Sequence, residues 1–185
     1  TQPLPFEDVL PGAWYYDAVR YVYENGMMNG ISDTAFSPDV TTNRAMIVTI
    51  LHRLEDEPEA PAGSFTDVAA DAYYADAVAW AAANGIVTGV SETVFAPDDA
   101  ITREQMAAIL YRYAQFKGYD VTAGNDLGAY TDASRISDYA AAAMRWANAE
   151  GLITGVTDTT LEPQGSATRA QVATILMRFC EEIAK

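Results

Sequence analysis

Asp39-Val-Thr-Thr-Asn-Arg44 is the first of three similar six-residue steps, and its counterparts are Asp98-Asp-Ala-Ile-Thr-Arg103 and Gln164-Gly-Ser-Ala-Thr-Arg169. A proline comes just before each step, and a run with helical periodicity follows it. The residue before each arginine carries a side-chain oxygen that can accept a hydrogen bond from the first turn of a helix. These residues are therefore predicted to be helix N-caps: Asn43, Thr102 and Thr168.

The arginine of each step then stands at the first helical position. A cation there is unfavourable by about 0.3–1 kcal/mol, because the helix dipole already makes this end positive. An anion held between the guanidinium group and free helix amides would explain three such arginines. The alternative is that each arginine pairs with a carboxylate of its own or the next repeat.

Capping differs between the steps. In the second and third, a glutamine three residues after the N-cap completes a capping box, whereas Met46 occupies that position in the first. Two well-formed anion sites are therefore expected, at Arg103 and Arg169, with a less secure one at Arg44. A second set of arginines lies near the C-termini of the same helices, where cations are favoured and no ligand is needed to explain them. Its members are Arg53, Arg112 and Arg178.

The repetition extends beyond these steps. Sliding the chain along itself by 59 residues superposes Phe6-Glu-Asp8-Val on Phe65-Thr-Asp67-Val, and a further shift of 66 brings Trp80 onto Trp146. The third copy opens with the more divergent Tyr130-Thr-Asp132-Ala. Three repeats are predicted, covering residues 1–57, 58–117 and 118–185.

Each repeat is predicted to contain two helices. The first helix is expected at about 15–25, 73–84 and 139–150, and a glycine suited to a left-handed C-cap follows it in each copy: Gly26, Gly85 and Gly151. The second helix carries apolar residues at i, i+3, i+4 and i+7, beginning at Ile47, Met106 and Val172. Two short helices cannot bury such stripes alone, so the copies must pack together into a compact all-α assembly. An apolar residue of each loop is expected to pin it to this core: Phe36, Phe95 and Leu161.

Composition excludes several functions. Eleven basic and 26 acidic residues give a net charge of −15, which argues against a nucleic-acid partner. The single cysteine, Cys180, is expected to be a small core residue, and the single histidine, His52, a surface or partly packed residue rather than a catalytic base. No catalytic constellation, metal site or cofactor motif is found, and no stretch approaches the length of a membrane span.

Taken together, these motifs resemble the S-layer homology domain, which usually occurs in threes. The resemblance covers about residues 6–179 and rests on Phe-x-Asp-Val, Gly-x-x-x-Gly, Phe-x-Pro and the Thr-Arg-Ala-Gln tetrapeptide of the third repeat. It implies a pseudo-threefold, three-lobed helical assembly with grooves between repeats. It also implies extracellular, non-covalent anchoring to the bacterial cell wall through a secondary wall polysaccharide, typically one ending in pyruvylated N-acetylmannosamine. In the tetrapeptide of the family the last residue is glutamate, and none of the three copies here keeps it.

The resemblance also implies a set of ligand-binding residues. They are the motif arginines Arg44, Arg103 and Arg169; the aromatic residues Trp80, Trp146 and Tyr21; the aspartates Asp8, Asp67 and Asp132; and the glycines Gly30, Gly89 and Gly155. The aromatic residues could equally be core residues, the aspartates could hold turns, and the glycines could serve backbone conformation alone. Replacing Arg103 or Arg169 by alanine is expected to weaken wall binding and to change stability by less than about 1 kcal/mol, as at a surface position. The alternative function is a helical-repeat scaffold for protein association or self-assembly.

Overall fold

The computed structural model describes residues 3–184, which form six α-helices joined by loops. The helices are α1 (Tyr16–Glu24), α2 (Arg44–Leu54), α3 (Ala75–Ala83), α4 (Arg103–Lys117), α5 (Ala141–Ala149) and α6 (Arg169–Glu182). Two short 3₁₀ turns, Ala133–Arg135 and Asp138–Ala140, lead into α5. Across these residues the extended pairings are isolated bridges rather than strands, so the all-α prediction is confirmed.

The local signals at the helix ends are confirmed. Each predicted N-cap accepts a hydrogen bond from the amide three residues later, and the capping boxes of α4 and α6 are complete. The glycine after each first helix has a positive φ: 69° at Gly26, 71° at Gly85 and 75° at Gly151. The left-handed conformation is available to glycine because it has no Cβ.

The helices pair between repeats. Helix α2 packs on α3, α4 packs on α5, and α6 closes the ring by packing on α1. Each pair therefore joins the second helix of one repeat to the first helix of the next. The apolar stripes are buried in these pairs, as at Ile47, Ile50 and Leu51 of α2, and each such side chain contributes roughly 1.5–3 kcal/mol. The predicted packing of the repeats on one another into three lobes is confirmed.

The three six-residue steps meet at the centre of this ring. The Thr42 amide donates to the Ala167 carbonyl (3.0 Å), the Ala167 amide donates to the Ile101 carbonyl (2.9 Å), and the Ile101 amide donates back to the Thr42 carbonyl (2.7 Å). These residues occupy equivalent positions, so the cycle gives the molecule its pseudo-threefold centre.

Phe36, Phe95 and Leu161 are fully buried, which confirms that they pin their loops. His52 and Cys180 also pack as structural residues. His52 is buried and its Nε2 lies 2.9 Å from the Pro58 carbonyl oxygen, whereas Cys180 packs against the core partly buried. Of the described helices, none is long and apolar enough to cross a membrane.

Candidate functional site

The first-turn amides of the second helices already have acceptors. The Arg44 amide donates to the Asp99 carbonyl (2.9 Å) and the Ala45 amide to the Pro97 carbonyl (3.0 Å), both in the next repeat. The third amide, that of Met46, donates to the N-cap side chain. The equivalent amides of α4 and α6 are engaged in the same way. The expectation that free amides would help to hold an anion is therefore wrong.

The motif arginines are buried. Arg44, Arg103 and Arg169 are 5%, 9% and 6% exposed, and desolvation lowers the pKa of each guanidinium below its ordinary value. An arginine remains protonated even so. The assumption that Arg103 and Arg169 are surface residues is therefore wrong, because their side chains lie at the joints between repeats.

Two of these joints share one geometry. Nε of Arg44 donates to the Phe95 carbonyl (3.0 Å), and its Nη2 donates to the Thr88 carbonyl (3.0 Å). The guanidinium carbon lies 4.8 Å from the centre of the Phe95 ring. Arg169 repeats the arrangement on Phe36, with its Nε 2.8 Å from the carbonyl and its guanidinium carbon 4.6 Å from the ring centre.

The third joint differs because Leu161 replaces phenylalanine. Nη1 of Arg103 donates to the Glu162 carbonyl (3.3 Å), and its Nη2 donates to Oε1 of Gln171 (3.0 Å). Residues 3–184 contain two ion pairs, Arg20–Glu24 and Lys117–Glu55, and neither involves a motif arginine. The carboxylate-pairing alternative is therefore wrong as well, since the partners are neutral oxygens, mostly of the backbone.

The predicted aspartates hold the loops. Oδ1 of Asp67 accepts from the Phe95 amide (2.9 Å), and Oδ2 accepts from the Ala96 amide (2.8 Å). Ala96 has a positive φ of 60°, an uncommon conformation for a residue with a side chain. Asp8 and Asp132 make the same pair of bonds in their repeats. Desolvation raises the pKa of Asp67 and Asp132, but the amide hydrogen bonds outweigh it and leave both pKa values below the ordinary value.

The loop glycines are required by crowding. A Cβ at Gly89 would lie 2.3 Å from the Ser91 carbonyl oxygen and 2.5 Å from the Phe65 ring, and one at Gly30 would be similarly placed. At Gly155 the carbonyl oxygen of Thr157 would lie 2.2 Å away. The bare backbone thus serves the loop itself, although Gly89 and Gly155 also line the grooves described next.

The predicted aromatic residues do not line the two grooves described in the next paragraph. Trp80 and Trp146 are 3% and 1% exposed and belong to the helix pairs α2–α3 and α4–α5. Tyr21 is half-buried against the core. Different aromatic residues, at equivalent positions just before each first helix, are exposed instead: Trp14, Tyr73 and Tyr139.

Two grooves are built alike from all three repeats. The first, of about 450 Å³, is lined by Arg44 of repeat 1, residues 87–90 and α4 of repeat 2, and Tyr139 of repeat 3. The second, of about 410 Å³, is lined by Arg103 of repeat 2, residues 152–156 and α6 of repeat 3, and Trp14 of repeat 1. Tyr139 and Trp14 are 53% and 69% exposed. Each groove thus combines an accessible aromatic side chain with a motif arginine.

The helix face in each groove adds a second arginine, Arg112 or Arg178. Among residues 3–184, the charged side chains that line the two grooves are all arginines, on a chain of charge −15. The sequence expectation placed Arg103 and Arg169 ahead of Arg44, whereas these two grooves contain Arg44 and Arg103. Sequence reasoning missed Trp14, Tyr139 and the second arginines as groove residues. Their recurrence at equivalent repeat positions was the signal that could have identified them.

The S-layer homology domain family matches the chain at residues 5–45, 64–107 and 129–173, which is more than half of its length. The chain belongs to the S-layer homology family. The three matches confirm the tandem repeats, and family membership indicates an extracellular, cell-wall-associated location.

Relatives of this S-layer homology chain include enzymes and surface proteins. It is 33% identical over its whole length to an endoglucanase of Bacillus sp. (strain KSM-635) and 35% identical over 90% of its length to the surface-layer 125 kDa protein of Lysinibacillus sphaericus. It is 32% identical over 96% of its length to exoglucanase XynX of Acetivibrio thermocellus. The matched regions span 19%, 14% and 16% of those proteins.

The region shared with the enzymes is thus their S-layer homology region, a small part of each, so the likeness assigns no catalytic activity to this chain. Family membership and these relatives support a role in anchoring a surface protein to the cell wall. In the part of the chain that the structure describes, no cluster of side chains could hold a metal ion.

Proposed function

We propose that this chain anchors a bacterial surface protein to the cell wall by holding an anionic, pyruvylated polysaccharide in its two grooves. The observation that carries the proposal is the concentration of paired arginines, the only charged side chains among residues 3–184 that line the two grooves, in a chain with charge −15. A strongly acidic surface repels an anionic polymer, so local cationic grooves direct it to defined positions. N-acetylmannosamine carrying a pyruvate ketal is the proposed terminal sugar.

The groove lining matches the parts of such a sugar. A guanidinium group can bind a carboxylate through two parallel hydrogen bonds, and this contact is stronger where water is partly excluded. The exposed rings of Tyr139 and Trp14 offer apolar faces for a sugar ring. Val90 and Val156, exposed beside the groove glycines, offer an apolar contact for the ketal methyl group.

Two sites on one chain suit a polymeric ligand. Each groove is open to solvent, so a single contact is expected to be weak. Binding at one groove raises the effective concentration of neighbouring sugars at the other. Anchoring would then depend on both grooves together.

Sedimentation with purified bacterial cell walls tests the proposal. The chain should sediment with untreated walls and remain in solution with walls from which the pyruvyl groups have been removed chemically. Salt should weaken the binding, because it screens charges that remain accessible to water. Equal sedimentation with both wall preparations would contradict the carboxylate mechanism. Failure to sediment with untreated walls would instead favour the protein-association scaffold.

A further inference from the structure

We infer that Glu104 is a positioning residue that fixes the ring of Tyr139 in the first groove and thereby makes this groove the stronger of the two. Glu104 is not one of the residues that line the groove, so it acts through Tyr139. The inference rests on the proposed function, and it adds an unequal division of the binding between two grooves that are otherwise built alike.

The carboxylate of Glu104 is buried and surrounded by donors. Glu104 is 3% exposed. Its Oε1 accepts from the Ser137 amide (2.9 Å) and from Nε2 of Gln164 (3.1 Å). Its Oε2 accepts from the hydroxyls of Ser137 (2.6 Å) and Tyr139 (3.2 Å). An ionised carboxylate has about four acceptor sites, and four donors occupy them here, so its orientation is well defined.

These bonds connect two sides of the first groove. Glu104 lies in the first turn of α4, the helix that forms one side. Tyr139 belongs to the 3₁₀ turn Asp138–Ala140, which packs against α4, and Ser137 is the N-cap of that turn. The carboxylate therefore holds both the backbone before the ring and the hydroxyl at its far end. The distance between the Tyr139 ring and α4 is fixed as a result.

The ring of Tyr139 stays accessible in this arrangement. Tyr139 is 53% exposed although its hydroxyl is bonded to Glu104. A tyrosine has an apolar ring and a polar end, so the end can be held while a face of the ring remains open to a sugar. A ring that is already held loses less conformational freedom when a ligand binds, and this strengthens the binding.

The second groove has no such hydrogen bond to its aromatic residue. That residue is Trp14, and Ala170 stands on α6 at the position of Glu104. Trp14 is 69% exposed, and its ring lies edge-to-face on the adjacent Tyr15, with 5.2 Å between the ring centres. This contact stays within repeat 1 and does not connect the Trp14 ring to α6.

Tyr73 provides an internal comparison for Tyr139. It is the equivalent tyrosine of repeat 2, and Ala45 of α2 stands at the position of Glu104. The Tyr73 hydroxyl makes no hydrogen bond with any other residue of 3–184, and the ring lies edge-to-face on Tyr74. Tyr73 is 65% exposed. The same side chain is thus unbonded where the glutamate is missing, so the fixed position of Tyr139 depends on Glu104.

Sedimentation of Glu104→Ala with purified cell walls, at a temperature where each variant is folded, is the first test. Binding should weaken about three- to tenfold, because the ligand must then order the Tyr139 ring. Glu59→Ala is the matched control, since it removes the same charge at an exposed position outside both grooves and should change binding less than about twofold. Unchanged binding of Glu104→Ala, or equal changes in both variants, would overturn the inference.

A double-substitution cycle separates positioning from a general loss of stability. Tyr139→Ala removes the ring, so adding Glu104→Ala to this variant should weaken wall binding no further. A second weakening as large as that in the unsubstituted chain would show that Glu104 acts without Tyr139, and would overturn the inference. Tyr139→Ala should also weaken binding more than Trp14→Ala, and the reverse order would overturn the ranking of the grooves.

Removal of single hydroxyls completes the test. Tyr139→Phe keeps the ring but loses the bond to Glu104, so binding should weaken about threefold, whereas Tyr73→Phe loses an unbonded hydroxyl and should change binding less than about twofold. If the unsubstituted chain does not sediment with walls, the proposed function and this inference are both overturned. Normal binding by the unsubstituted chain, Glu104→Ala and Tyr139→Phe alike would overturn this inference alone.

Discussion

Equivalent motif arginines make different contacts at two joints, the one between repeats 1 and 2 and the one between repeats 2 and 3. At the first, Arg44 lies on the Phe95 ring, and its Nε and Nη2 bond to two backbone carbonyls. At the second, Leu161 removes the ring, and Arg103 bonds instead to the Glu162 carbonyl and a side-chain oxygen. A guanidinium over an aromatic face gains electrostatic attraction that leucine cannot supply.

A buried carboxylate accompanies the leucine joint. Oε1 of Glu104 accepts from the Ser137 amide (2.9 Å) and from Nε2 of Gln164 (3.1 Å). Its Oε2 accepts from the Ser137 hydroxyl (2.6 Å) and the Tyr139 hydroxyl (3.2 Å). Desolvation, followed by the nearby Glu104 charge, raises the pKa of Tyr139 to about 12. The equivalent positions in α2 and α6 are alanines, so this network occurs only where the aromatic contact is missing.

Arginines at equivalent positions therefore need not make the same contacts between repeats. The arginine is the same in both, but its neighbours decide whether the joint is stabilised by a ring and carbonyls or by a carboxylate network.

The loops at the two joints differ in how tightly they enclose their glycines. Gly89→Ala should lower the free energy of unfolding by about 3 kcal/mol or more, because the new methyl group would meet two carbonyl oxygens and the Phe65 ring. Gly155→Ala should cost less, since two of its three nearest contacts are 3.0 Å or longer. Urea unfolding measures both changes. Gly12→Ala is the control, with nothing within 4 Å of its Cβ, and a cost at Gly89 no larger than at Gly12 would refute the crowding argument.

The arginine contacts predict the next largest effect. Arg44→Ala should lower the free energy of unfolding by about 2–4 kcal/mol, because two backbone carbonyls lose charged donors and the ring loses its cation. Arg103→Ala should cost about 1–2 kcal/mol, since its two bonds include no ring contact and one is long. Denaturant titration gives both values, with exposed Arg53→Ala as the neutral reference. Equal costs at the two joints would show that the ring adds nothing.

The hydrogen bonds of Glu104 should contribute less to stability than the contacts of Arg44. Glu104→Ala introduces the residue found at the equivalent positions and should cost about 1–3 kcal/mol, because the Ser137 and Tyr139 hydroxyls and Gln164 lose their acceptor. Thermal unfolding beside the exposed control Glu92→Ala provides the measurement. A more stable Glu104→Ala protein would mean that burying the charge costs more than its hydrogen bonds return.

The smallest effect concerns pH. The pKa of Asp67 in the folded chain lies below the ordinary 3.8, so the ionised carboxylate favours the folded state. That stabilisation is complete above the unfolded pKa and is lost as the pH falls through the lower folded value. Asp67→Asn should therefore flatten the fall in unfolding free energy below about pH 4. Unfolding titrations against Asp33→Asn, an exposed aspartate, test this, and identical acid slopes for the two variants would exclude the loop carboxylate as a cause.

Much of the fold was predictable because its signals are local. A cap such as Thr102 and its partner Gln105 are three residues apart, so their bond follows from the chain order alone. The left-handed glycines and the helical stripes are read in the same way. The partners of the motif arginines are not local: Nε of Arg169 bonds to the carbonyl of Phe36, far earlier in the chain. Every residue has a carbonyl, so no residue type marks that partner in the sequence.

Some features of the candidate site could also be predicted from the sequence, and others could not. Repetition and composition by themselves determined an acidic, all-α chain of three repeats and singled out the arginines at the starts of the second helices. Only the tertiary structure decided that these arginines join repeats, that Trp80 and Trp146 are core residues, and that Trp14 and Tyr139 face the grooves. The physical reason is that each groove is assembled from three repeats. Which side of a helix or loop stays accessible depends on the neighbours that cover it.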